Sequence, residues 1–142
     1  MNFLNFVPLI SLSNNAIFAQ RVLNYLVEKG KSREKDKLVT SHCEINAIKK
    51  ASKKIKDWQL VDCELYVTLE PCIMCSGAIY QARIKKVYFG AYDLKQGGVT
   101  SLVKTFDLEK INHHPEYEGG ILEEECRITI QNYFKKKRQT KV

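Results

Sequence analysis

Apolar and polar residues change along the chain in blocks that predict alternating strands and helices. Residues 64–70 are rich in β-branched and aromatic side chains and predict a buried strand, and Lys86–Ala91 predicts a second strand. Residues 72–83 lie between them, directly after a proline, and predict a helix. Two more helices are predicted over residues 45–57 and 121–138, where apolar residues recur at helical spacing, and in the second Ile128 and Phe134 are among the residues that suggest one side. This alternating order favours an α/β layered fold.

The remaining stretches predict turns and loops. Residues 8–23 hold two apolar patches separated by Ser13-Asn14-Asn15, which favours a hairpin, although a short helix fits the second patch equally well. Residues 28–41 are almost entirely polar and predict an exposed loop. Residues 93–100 predict a second loop, after which we expect Ser101 to cap a short helix.

The length and composition favour one ordinary globular domain, spanning residues 1–142. Apolar residues make up 44% of the chain and charged residues 27%, and no apolar run approaches the roughly 18 residues of a membrane span. The first residues lack the basic and small-residue pattern of a secretory signal. Five cysteines are an odd number, which favours metal or thiol chemistry in a reducing cytoplasm over a disulfide framework.

The positive charge is concentrated at the carboxyl end. The chain carries a net charge of +7, and residues 131–142 supply +5 of it without a single acidic residue. A basic excess favours polyanionic partners, either nucleic acid or an anionic membrane surface. The charge alone does not distinguish these two partners.

Two short motifs carry candidate chemistry, and each lies at the start of a predicted helix. Cys72 and Cys75 are three residues apart, so both sulfurs can face one point. Taken alone, this pair is consistent with a redox pair, half of a structural zinc site or two core cysteines. His42 and Glu44 flank the start of the preceding helix, where Thr40-Ser41 offers a cap. One histidine with two cysteines leaves an open coordination position, as in catalytic zinc sites.

Together the motifs resemble the signature of zinc-dependent nucleoside deaminases, His-x-Glu followed by Pro-Cys-x-x-Cys. The longer runs 65–79, 82–84, 87–95 and 120–126 are similar to the bacterial tRNA-specific adenosine deaminases, as are Asn112-His113 and residues 133–139. The resemblance implies a three-layer αβα cytidine-deaminase-like fold with a mixed sheet of about five strands. It also implies a homodimer that acts on the tRNA anticodon stem-loop and has no membrane association.

The resemblance further implies a role for each matching residue. His42, Cys72 and Cys75 would bind one zinc ion per chain, and Glu44 would carry protons while wobble adenosine is converted to inosine. Substrate contacts are implied for Asn24, Leu69, Glu70, Pro71, Asp93, Asn112, His113, Phe134, Lys135, Lys137 and Arg138. The loop before His42 is longer than is usual in the family. Asn24 matches the family's base-contacting asparagine if the extra residues follow it, whereas an ungapped count back from His42 puts Lys31 there instead.

Plainer interpretations stand beside several of these roles. Asp93 also suits a turn, His113 a surface position, Phe134 the core, and the basic residues after it a solvated helix end. At the level of function, the alternatives are a deaminase of a free base or nucleotide (guanine or deoxycytidylate) and a non-catalytic zinc-containing RNA-binding subunit. Since few residues precede Val7-Pro8, we expect the amino-terminal helix of the family to be truncated here.

Overall fold

The computed structural model describes residues 9–12 and 37–139. These residues form a mixed sheet with helices packed against it. In chain order the elements are β1 (Leu9–Leu12), α1 (Cys43–Ile55), β2 (Cys63–Leu69), α2 (Ile73–Gln81), β3 (Lys86–Ala91), a 3-10 helix (Thr105–Asp107), β4 (Glu116–Glu118) and α3 (Glu123–Gln139). No helix in these ranges is both long enough and apolar enough to cross a membrane.

The sheet has the strand order β1-β2-β3-β4. Strand β1 runs antiparallel to β2, whereas β2, β3 and β4 are parallel neighbours, with Val67 opposite Phe89. Parallel neighbours need a crossover connection, and α2 provides it between β2 and β3. The predicted α/β class is therefore confirmed, and the described part of the chain contains four strands of the sheet.

The main core lies between one face of the sheet and helices α1 and α2. Leu65, Val87 and Phe89 point to this face and are almost fully buried against Ala51 of α1 and Ile79 of α2. Burying side chains of this size contributes about 1.5–3 kcal/mol each. The apolar spacing that predicts α1 therefore reflects its packing on the sheet, and Ile48 and Ile55 also contact this core.

Helix α3 reaches the sheet at Gly90. Gly90 follows Phe89 in β3, so it turns to the opposite face, and a Cβ atom there would lie 2.7 Å from the Cβ of Cys126. Only a glycine allows this close approach of helix and strand. Helices thus pack on both faces of the sheet, as expected for a layered αβα fold.

The structure corrects the predicted carboxyl-terminal helix in two respects. The helix begins at Glu123, because Leu122 has a positive φ of 48° in the preceding turn. Among the helix side chains that the structure describes, Cys126 and Ile130 are buried, whereas Ile128 is exposed. The apolar residues visible in the sequence thus mark a different face from the one that packs on the sheet.

The predicted helix cap at Ser101 is wrong. Ser101 lies in a turn, and its N–H and hydroxyl both donate to the Glu70 carboxylate. The next helical segment is the short 3-10 helix, which begins at Thr105. The strand at Leu9–Leu12 is present, while the rest of the predicted hairpin, the amino-terminal helix and most of the polar loop lie outside the described residues.

Candidate active site

One histidine and two cysteines converge where helices α1 and α2 begin. His42 is the N-cap residue of α1, and Cys72 is the N-cap residue of α2, with Cys75 in the first turn. His42 Nδ1 lies 3.6 Å from the sulfur of Cys72 and 3.6 Å from the sulfur of Cys75. The three candidate ligand atoms all lie within 4.8 Å of one another.

These separations fit a zinc ion. Tetrahedral zinc with bonds of about 2.3 Å to sulfur and about 2.0 Å to nitrogen places the two ligand atoms about 3.5 Å apart. The 3.6 Å spacings between His42 and the two sulfurs match this value. Two cysteines and a histidine form a typical zinc ligand set that leaves a fourth position for water or substrate.

The two thiols form a coupled pair. A hydrogen bond from the Cys75 thiol, opposed by burial, lowers the pKa of Cys72 to about 5, and backbone N–H groups at the start of α2 act in the same direction. The interaction with Cys72, together with burial, raises the pKa of Cys75. Two adjacent sulfurs of this kind suit a bound cation, which would replace the thiol protons.

Glu44 lies beside the ligand group without being needed as a ligand. Its Oε2 is 3.5 Å from the Cys75 sulfur, in the first turn of α1. Burial raises the pKa of Glu44, its backbone hydrogen bond opposes this, and the Cys72 thiolate raises the pKa further. A raised pKa makes a carboxyl group better suited to take up a proton and pass it on.

The backbone of residues 69–71 is already engaged within the protein. The Glu70 N–H donates to the Ala91 carbonyl at 2.9 Å, and the Pro71 carbonyl accepts from the Gly98 N–H at 2.7 Å. Leu69 is half-buried at the end of β2. The predicted substrate contacts of Leu69, Glu70 and Pro71 therefore have to come from groups that do not take part in these two hydrogen bonds.

Asp93 stabilises the turn that follows it, as the plainer interpretation of the sequence predicts. Its carboxylate accepts the N–H groups of Lys95 and Gln96, both at 3.1 Å, and its own N–H donates to Glu70 at 3.0 Å. The side chain remains half-buried. Its predicted contact with a ribose stays a prediction.

The other predicted substrate residues lie on separate elements. Asn112 accepts a hydrogen bond from Arg83 at 2.7 Å, and a ring nitrogen of His113 lies 2.8 Å from the Ile84 carbonyl. Phe134 is 45% exposed on α3, which excludes the core position, and two basic residues that follow it, Lys135 and Arg138, are also exposed. Asn24 and the side chain of Lys137 lie outside what the structure describes.

The sequence-based predictions missed that the Glu70 carboxylate is buried and anchors a neighbouring loop. The Glu70 side chain is 2% exposed and binds the loop at residues 93–101 through Asp93, Thr100 and Ser101. The signal was present in the sequence as a charged residue between a buried strand and the Pro-Cys pair. A carboxylate at such a position requires several hydrogen-bond donors.

Comparison with known proteins identifies the family. A family model for MafB19-like deaminases matches residues 9–138. The chain belongs to this deaminase family. The match includes all three candidate zinc ligands and Glu44, and it agrees with the family resemblance that the sequence motifs indicate.

Individual members of the deaminase family are similar over much of the chain. A relative from Haemophilus influenzae, named tRNA-specific adenosine deaminase, is 45% identical over 102 residues, which cover 72% of this chain and 59% of the relative. The chain therefore spans about three fifths of the length of that relative.

Solved structures agree with this family. A structure from a study of A-to-I editing by tRNA:A34 deaminases at the wobble position of transfer RNA matches with a TM-score of 0.73 and 33% identity, over 86% of this chain and 82% of that chain. A guanine deaminase from Nitrosomonas europaea matches with a TM-score of 0.56 and 18% identity, over 71% of this chain and 60% of the other. At that identity the second match shows the fold alone.

Proposed function

We propose that this protein is a zinc-dependent hydrolase that converts wobble adenosine in a tRNA anticodon to inosine, releasing ammonia. The observation that carries the proposal is the group of His42, Cys72 and Cys75 with the carboxylate of Glu44 beside it. Metal binding alone has no need of a proton carrier, so Glu44 favours an enzyme over a non-catalytic zinc-containing subunit. The relatives named above support adenosine in tRNA as the substrate.

The residues of the site have distinct roles in this reaction. His42, Cys72 and Cys75 would hold one zinc ion, which lowers the pKa of a bound water when present. Glu44 accepts a proton from the attacking water. It delivers this proton to the adenine ring nitrogen next to C6. It then takes the proton of the new C6 hydroxyl and delivers it to the departing amino group, so that water and adenosine yield inosine and ammonia.

Phe134 and the basic residues after it would contact the neighbouring bases and phosphates of the anticodon. An exposed aromatic ring offers a stacking surface for an unpaired base, and Lys135 and Arg138 offer charge for phosphates. A free base such as guanine requires no such surface. This arrangement favours RNA over the alternative of a free base or nucleotide, and a reaction on tRNA takes place in the cytoplasm.

The homodimer is part of the proposal. Ile73, Leu94 and Leu102 are exposed by 47%, 81% and 55% respectively. Ile73 directly follows a candidate zinc ligand, Leu94 directly follows Asp93, and the Leu102 N–H bonds the Gly97 carbonyl at 2.9 Å, so these exposed apolar residues belong to segments next to the site. Sedimentation should show a dimer that Leu102→Asp dissociates; a wild-type monomer at assay concentrations would contradict the dimer.

The decisive experiment is deamination of an anticodon stem-loop. Zinc-loaded protein should convert a stem-loop with adenosine at the wobble position to its inosine form and leave a matched stem-loop with guanosine there unchanged. Turnover of free guanine or deoxycytidylate with no RNA product would replace this function by the alternative. Metal analysis should find about one zinc per chain, and a metal-free protein with full activity would refute the mechanism.

A further inference from the structure

The carboxylate of Glu70 is the centre of a hydrogen-bond network that spans two parts of the chain. Its two oxygens accept five hydrogen bonds. The donors are the N–H of Asp93 at 3.0 Å, the N–H and hydroxyl of Thr100 at 2.6 and 3.0 Å, and the N–H and hydroxyl of Ser101 at 2.9 and 2.6 Å. Every donor belongs to residues 93–101, which we call the Glu70 loop.

The Glu70 loop also packs directly on the segment that carries the cysteine ligands. The Gly98 N–H donates to the Pro71 carbonyl at 2.7 Å, and Gly97 forms an isolated β-bridge with Cys72. A Cβ atom on Gly98 would lie 2.7 Å from backbone atoms of Cys72 and Ile73. The loop thus touches the backbone of a candidate zinc ligand without space between them.

We propose that Glu70 is a positioning residue that acts on the metal site through this loop. Its carboxylate holds the Glu70 loop against Pro71 and Cys72, and so keeps the Cys72 sulfur in place beside Cys75 and His42. The effect on metal binding follows from these contacts alone, whereas any effect on catalysis rests on the proposed deaminase function. Groups that orient a metal ligand commonly change metal affinity by about 10- to 100-fold.

The network also links the metal site to Asp93. Oxygen Oε2 of Glu70 bonds the Asp93 N–H, and the Asp93 carboxylate in turn fixes the following turn through Lys95 and Gln96. One carboxylate therefore sets the position of a candidate zinc ligand on one side and of a predicted substrate residue on the other. Loss of the carboxylate should release both together.

The test uses Glu70→Gln in the zinc-loaded protein, with Glu109→Gln as the matched control. Glutamine keeps the size of the side chain but replaces one acceptor oxygen with a donor that faces other donors. Glu109 is exposed in a turn that lies outside the Glu70 loop and takes no part in its hydrogen bonds to Glu70. Ser101→Ala removes a single hydroxyl donor and serves as a milder variant if Glu70→Gln does not fold.

Two measurements separate positioning from general stability. Zinc affinity is measured by competition with a chromophoric chelator. Limited trypsin digestion compares cleavage after Lys95, inside the Glu70 loop, with cleavage after Lys110, which is exposed outside it. Both measurements are independent of RNA, so a wild-type protein that failed to deaminate tRNA would refute the proposed function and still allow this test.

We expect Glu70→Gln to weaken zinc binding about tenfold or more and to raise cleavage after Lys95 about tenfold relative to Lys110. Ser101→Ala should change both values in the same direction by less, and Glu109→Gln should change neither. Zinc affinity within about twofold of the wild type would overturn the proposal. An equal rise of cleavage at both lysines would also overturn it, since that result indicates only a loss of global stability.

Discussion

A pair of matched glycine substitutions provides the sharpest test of how the Glu70 loop packs on the site. A Cβ atom at Gly98 would lie 2.7 Å from three backbone atoms of Cys72 and Ile73, none of which can rotate away. In Gly98→Ala the loop must therefore shift, and this strains its hydrogen bonds to the Pro71 carbonyl at 2.7 Å and from the Thr105 N–H at 3.1 Å. Overpacking costs about 1–3 kcal/mol, and each weakened hydrogen bond adds about 1 kcal/mol.

Gly77 supplies the opposite case within the same helix–loop region. It lies inside α2, and a Cβ atom there would meet nothing within 4 Å. Because alanine is a better helix former than glycine, Gly77→Ala should stabilise the protein by about 0.5–1 kcal/mol. The two variants make the same chemical change, so a destabilisation confined to Gly98→Ala reports the packing around Gly98 rather than the added methyl group itself.

Urea unfolding followed by far-UV circular dichroism measures both effects. We expect Gly98→Ala to lose about 3 kcal/mol of unfolding free energy, or about 10 °C in melting temperature for a domain of this size. Gly77→Ala should gain a small amount under the same conditions. Gly98→Ala within about 0.5 kcal/mol of the wild type would refute the close packing described here, as would equal destabilisation by both substitutions.

Three further predictions follow from the site and its surroundings. Glu44→Gln should retain one zinc per chain by metal analysis and lose deamination at least about 100-fold, and retained turnover would remove Glu44 from the mechanism. Removal of residues 135–142 should weaken stem-loop binding and flatten its dependence on salt, and unchanged binding would exclude the tail from the interface. Burial opposes ionisation of Glu70, but hydrogen bonds from Ser101, Thr100 and Asp93 outweigh it and lower the pKa below the ordinary 4.5. The folded state therefore binds fewer protons than the unfolded state. The free energy of unfolding of the wild type should exceed that of Glu70→Gln by its full amount above about pH 4.5, and this excess should vanish as the pH falls through the pKa of Glu70 in the folded state. A difference in unfolding free energy that stays constant with pH would contradict this.

The sequence predicts the elements of the described core well because their signals are local. The strand at Lys86–Ala91 has the predicted bounds, and β2 and α2 differ from prediction by one or two residues at their ends. Strand β4 was missed because Glu116–Glu118 has only three residues and two are exposed acids, so its place in the sheet depends on pairing with β3. Tertiary pairing of this kind leaves no periodic signal in the sequence.

Helix α3 shows a second limit of prediction from the sequence. The large apolar residues Ile128 and Phe134 suggested the buried face, but the structure buries Cys126 and Ile130 instead. Cys126 packs directly on Gly90 of the partner strand, where a Cβ atom would lie 2.7 Å from the Cβ of Cys126. A complementary pair of glycine and cysteine on two distant elements cannot be recognised from either element alone.

The candidate zinc ligands could be predicted for a physical reason that the loop residues lack. His42 and Cys72 are both N-cap residues, and Glu44 and Cys75 occupy the first turns of the same two helices. Their positions depend on helix starts, where free N–H groups favour anionic side chains and thiolates. The positions of Asp93 and the other donors to Glu70 do not depend on a helix start. They depend on hydrogen bonds between residues that lie 23 to 31 positions apart in the chain. The chemistry of the site is thus encoded in two short motifs, whereas its precision depends on a buried carboxylate that neither motif requires.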